Sequence, residues 1–116
     1  MIRKKDDKLT VTKPAPFDGK GEITVRSLLT GPQEMSEKGR VFAHTTVYPG
    51  SEIGYHIHMG DSETYYILSG TGMYDDNGRK VLVTAGDVTY TAPGEGHGIA
   101  CVGEEPVEMI ALILYA

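Results

Sequence analysis

Cysteine is almost missing from these 116 residues. Cys101 stands alone, so no internal disulfide can form, which fits a reducing compartment. No excess of positive charge is present either. The formal net charge is −5, and a chain that grips a phosphate backbone needs a basic face. Long hydrophobic runs are absent: the longest, Met109 to Ala116, falls far short of the ~20 residues of a membrane span. The first eight residues, Met1-Ile2-Arg3-Lys4-Lys5-Asp6-Asp7-Lys8, are too charged to open a signal peptide. These features place the chain in the cytoplasm, with neither nucleic acid nor membrane as a partner. Tryptophan is missing as well, while tyrosine occurs seven times. No window of a dozen residues carries a helical apolar stripe, and no repeat or low-complexity tract interrupts the chain.

What is present is a series of short stretches rich in Val, Ile, Thr and Tyr, separated by turn signals. Strands are expected at Ile23–Leu28, Arg40–Val47, Gly54–His58, Thr64–Leu68, Gly72–Tyr74, Lys80–Thr84, Asp87–Thr91, Gly98–Val102 and Val107–Tyr115. Asp76-Asn77-Gly78 reads as a hairpin turn, since Asn and Gly tolerate the positive φ it requires. Gly31 to Gly39 has room for one helical turn. Residues 1–21 are polar and broken by Pro14 and Pro16, and read as an N-terminal arm before a single domain over 22–116. Strands at this spacing give an all-β sandwich or barrel. The last stretch is apolar enough to lie at the centre of its core.

The chemistry concentrates around His56-Ile57-His58. Residues i and i+2 of a strand share a face, so both imidazoles project together. Glu63 follows a turn later and can add an oxygen to the same spot. That pattern outlines a metal site.

The spacing Gly50-x5-His56-x-His58-x4-Glu63-x6-Gly70 resembles the first motif of the cupin superfamily at every defining position. Gly86-x5-Ala92-Pro93-Gly94-x2-His97-x3-Cys101 resembles the second, with two departures. Ala92 replaces the usual proline, with Pro93 one place late, and Cys101 replaces the usual asparagine. The resemblance implies a double-stranded β-helix, or jelly-roll, barrel and a metal held by His56, His58, Glu63 and His97. Three imidazoles and one carboxylate suit one divalent transition metal ion such as Mn, Fe, Ni or Zn, or copper. Four protein ligands around a six-coordinate metal leave two positions for water or a bidentate small molecule. The glycines flanking Glu95 would place His97 over the barrel mouth. Family members of this size commonly form homodimers, some by exchanging N-terminal strands, and that is the assembly implied here.

The expected function is that of a small metalloenzyme acting on an oxygen-rich carboxylate or sugar, of the dioxygenase, decarboxylase, isomerase or lyase type. A non-catalytic ligand-binding or sensor module is the alternative. Tyr65 shares strand parity with Glu63 and is the candidate catalytic proton-transfer group, whereas Tyr66 and Tyr55 point away. Met59 and Met73 are candidates to line the cavity, and Arg26, Arg40 and Arg79 to anchor a carboxylate. His44 reads as a surface or interface histidine, Cys101 as an inert inward-facing thiol, and Glu104-Glu105 as a solvated turn.

Overall fold

Strand β5 (Asp61–Ser69) carries the inside/outside alternation that the barrel needs. Glu63, Tyr65 and Ile67 are buried while Tyr66 and Leu68 are exposed, because successive side chains of a strand leave opposite faces. Strand β10 (Val107–Tyr115) repeats the pattern, with Val107, Met109, Ala111 and Ile113 inside. It lies between β3 (Gly39–Val47) and β5, the central position its apolar content predicts.

The computed structural model describes residues 1–116 and arranges ten strands in two antiparallel sheets. The larger sheet runs β1 (Thr10–Pro14), β2 (Glu22–Leu29), β3, β10, β5 and β8 (Val88–Thr91). The smaller runs β4 (Glu52–Ile57), β9 (Gly96–Cys101), β6 (Thr71–Asp76) and β7 (Arg79–Thr84). Residues of both sheets, among them Val47, Ile53, Tyr65, Ile67, Ile99 and Met109, form one apolar core. This is the double-stranded β-helix expected from the sequence. Nothing helical exceeds four residues, and no helix is long and apolar enough to cross a membrane.

All nine expected strands are present. Asn77 and Gly78 both adopt positive φ in the β6–β7 hairpin, and the turn foreseen between Gly31 and Gly39 is a 3-10 helix over Pro32–Met35. Three differences bear on the site. Strand β4 stops at Ile57, so His58 follows it rather than belonging to it. Strand β5 starts at Asp61 rather than Thr64, which puts Glu63 inside the strand. The tenth strand, β1, lies in the stretch read as an arm and pairs with β2 from Thr10↔Arg26 to Pro14↔Glu22. Beyond it, Lys20 bridges to Glu52 of β4, so residues 10–20 cross from one sheet to the other.

Candidate metal centre

Two strands of the smaller sheet, one of the larger and the link between β4 and β5 deliver the four candidate ligands. In the β4–β9 pairing His56 stands directly opposite His97, so their rings leave the sheet side by side. The register shifts between Ile53 and His56. That irregularity inverts the alternation, so His56 faces inward although it lies three residues after the inward-facing Ile53. Glu63 arrives from β5, and His58 from the short link before it.

The four ligand atoms lie within 4.8 Å of one another. His58 Nε2 and His97 Nε2 stand 3.1 Å apart, and Glu63 Oε1 lies 3.1 Å from the first and 3.0 Å from the second. The opposite ring nitrogens are all engaged. His56 Nδ1–H donates to the Gly54 carbonyl at 2.8 Å, which fixes the tautomer because a carbonyl can only accept. His58 Nδ1–H donates to Asp61 Oδ1 at 2.7 Å. Tyr74 Oη lies 2.8 Å from His97 Nδ1 and 2.8 Å from Thr91 Oγ1. With Nδ1 engaged outward, His56 and His58 both turn Nε2 toward the Glu63 carboxylate and His97.

Such a cluster of nitrogen and oxygen donors is suited to a cation at its centre. Donors ~2.1 Å from one ion and at right angles to each other stand ~3.0 Å apart, close to the separations found. Three imidazoles and a carboxylate, with no thiolate, suit a first-row divalent ion. The residues fit a metal.

The surroundings bear on the same point. His97 is fully buried, His58 and Glu63 nearly so, and His56 half-buried. Burial pushes the Glu63 carboxyl up, but the His58 and His97 imidazoles outweigh it and hold the group at about 2. The Glu63 carboxylate raises the His58 imidazole against the opposing effect of burial, with Asp61 adding to the rise. Burial lowers His56. Burial, with the Glu63 charge beside it, raises the Tyr65 hydroxyl well above the ordinary phenol range.

A family model described as "Cupin domain" matches residues 43–113. The chain belongs to the cupin family. An oxalate-binding protein of Thermotoga maritima is 44% identical to this cupin over 96 residues, covering 83% of this chain and 78% of the relative. An uncharacterised protein of Methanocaldococcus jannaschii is 31% identical over 110 residues, covering 95% and 87%. Among solved structures, a predicted oxalate decarboxylase of Thermotoga maritima superposes with a TM-score of 0.94 at 37% identity, over the whole of both chains.

All four candidate ligands come together. His97 does not hang over the mouth as expected: it lies within β9 and is fully buried, because its pairing with His56 carries it under the sheet. Tyr65 lines the cavity with its ring stacked on that of His97, centroids 5.0 Å apart. Of the three arginines, only Arg40 reaches the cavity, its Nε donating to Asp61 Oδ2 at 2.9 Å. Arg26 donates to Thr46 instead, and Arg79 is exposed on the β6–β7 hairpin. Met59 borders the cavity and Met73 does not. Cys101 is half-buried against the core, its thiol donating to the Glu105 carbonyl.

Sequence reasoning missed three residues. Asp61 orients His58, Tyr74 engages His97, and Phe17 stacks flat on the His56 ring, centroids 3.8 Å apart at 12°. Only Asp61 left a local trace, as a carboxylate three residues beyond a histidine. An Asp61→Asn variant removes the charge that keeps Nδ1 of His58 protonated and Nε2 basic. Its metal affinity should fall by about 10–100-fold with the fold intact, as measured by competition with a chromophoric chelator.

Proposed function

We propose that this cupin holds one divalent metal ion at His56, His58, Glu63 and His97, and that a small carboxylate binds there with Tyr65 donating a hydrogen bond to it. The observation that carries the reading is the convergence of imidazole nitrogens and a buried carboxylate beside a cavity of about 380 Å³. The carboxylate class is supported by the 44%-identical relative named as an oxalate-binding protein. A metal in this position supplies a Lewis acid for a ligand's oxygens. Tyr65 stays protonated because burial and Glu63 disfavour the phenolate, so its role is to donate.

Turnover would make the protein an enzyme with Tyr65 as the proton donor. Binding without turnover is the second reading, and one feature favours it. Asp61 is already committed to His58 and Arg40, and His56, His58 and Glu63 to the metal set, so no carboxylate or imidazole lining the cavity is left to act as a general base. The homodimer belongs to the same proposal. Tyr66, Val88 and Tyr90 are 46%, 63% and 59% exposed on the outer face of the larger sheet, an apolar surface suited to a second copy.

Titration calorimetry tests the carboxylate site. Oxalate should bind the metal-loaded protein and not the chelator-treated one. Tyr65→Phe should keep the metal yet weaken oxalate roughly tenfold or more, the range for a hydrogen bond to a charged group. Equal affinity with and without metal would refute the chelation reading.

A further inference from the structure

The cavity is much larger than the smallest chelating acids. About 380 Å³ is the space of roughly a dozen waters at ~30 Å³ each, whereas oxalate has six heavy atoms. One wall of this space is the larger sheet. From Glu63 the register runs across the larger sheet to Ile113 of β10 and Val41 of β3. Two inward-facing rows along, past Ala111, Met109 of β10 leads to Thr45 of β3 and Val25 of β2. All five line the cavity, and so does Ala111. Strands lie ~4.8 Å apart, so the step from β5 to β2 spans ~14 Å. Four of those five side chains are apolar, and Thr45 is the single hydroxyl among them.

We infer that the ligand of this site is a chelating carboxylate with an apolar body several carbons long, its acid head at the metal ligands and its tail on the β10–β3–β2 wall. The inference rests on the metal-carboxylate reading above and narrows it. A sugar fits this wall poorly, because hydroxyls buried against it would find only Thr45 among its side chains, and the cations that also border the cavity, Lys13 and Arg40, favour a charged ligand. Oxalate fills only the head region and leaves the wall to water. A 2-oxo acid with an alkyl or aryl substituent occupies both.

The test is calorimetry of the zinc-loaded protein with oxalate, 2-oxobutanoate, 2-oxohexanoate and 2-oxooctanoate. Affinity should rise up to about fourfold per methylene, the equivalent of ~0.8 kcal/mol for each buried CH₂. The eight-carbon acid should bind about a hundredfold more tightly than the four-carbon one. In a Val25→Phe variant, which fills the far end, that ratio should fall at least tenfold; Val25→Leu serves if the larger side chain prevents folding. If oxalate and 2-oxobutanoate bind but the series is flat within threefold, the long-tail inference is overturned while the metal-carboxylate reading stands. If zinc is not retained, or zinc is retained and none of the four acids binds, the underlying reading fails and the inference with it.

Discussion

Glu63→Gln should abolish the thermal stabilisation that a divalent metal gives this protein. With metal at a thousand times its dissociation constant, the wild-type chain gains ~4 kcal/mol, which for a domain of this size raises the melting temperature by about 15 °C. Glutamine keeps the shape of Glu63 but removes the charge that gathers His58 and His97. Changes in the outer shell of a metal site already cost ~10–100-fold in affinity, so loss of a charged ligand should exceed a hundredfold. The metal-free variant should still fold. Its His58 imidazole, raised chiefly by Glu63, can release its proton and so avoid a buried unpaired charge. Melting curves of both proteins with and without Mn, Fe, Ni and Zn read this directly. Undiminished stabilisation in the variant would remove Glu63 from the ligand set, and no stabilisation of the wild type by any of these ions would remove the metal.

Nine of the ten strands and the candidate ligands were legible, most of them because their signals are local. Asn77-Gly78 marks a hairpin by itself, and Tyr65 follows Glu63 onto the inner face by simple alternation. His56 and His58 could be read together from their spacing of two, and they converge although β4 ends at Ile57. The pairing that buries His97 was not legible, because opposing His56 to His97 is a contact between residues 41 positions apart, and no local pattern encodes it. Tyr74 was hidden likewise: its hydroxyl meets His97 only after β6 has aligned with β9. Phe17 lies in a stretch whose prolines and charges read as solvent-facing, and what places it on His56 is backbone contact with β4. Local chemistry and motif spacing thus named the candidate ligands, while the groups that orient them emerged only with the strand register.

That backbone contact gives the second large effect. Gly54 of β4 and the Pro16–Gly19 segment approach with no room for a side chain. A Cβ on Gly54 would overlap the Phe17 carbonyl oxygen and lie 2.9 Å from the Phe17 carbonyl carbon and 3.0 Å from the Gly19 nitrogen. Ala15, Phe17 and Asp18 all hold positive φ, a strain that lasts only while the surroundings enforce it. Gly54→Ala should therefore expel the segment, withdraw Phe17 from His56 and open the cavity that Pro16 and Phe17 border. Overpacking against backbone puts the cost near the upper end of its range, ~3 kcal/mol, or about 10 °C in melting temperature. Metal affinity should fall as well, because the Gly54 carbonyl fixes the His56 ring. Trypsin should then cut after Lys20 far faster than in the wild type. Phe17→Ala separates the two contributions: it removes the stacked ring but leaves the backbone seat, and should stay close to wild type in melting temperature and cleavage rate. If Gly54→Ala proves as stable and as protease-resistant as the parent, the seat does not hold the segment, and Phe17 owes its place on His56 to the stack alone.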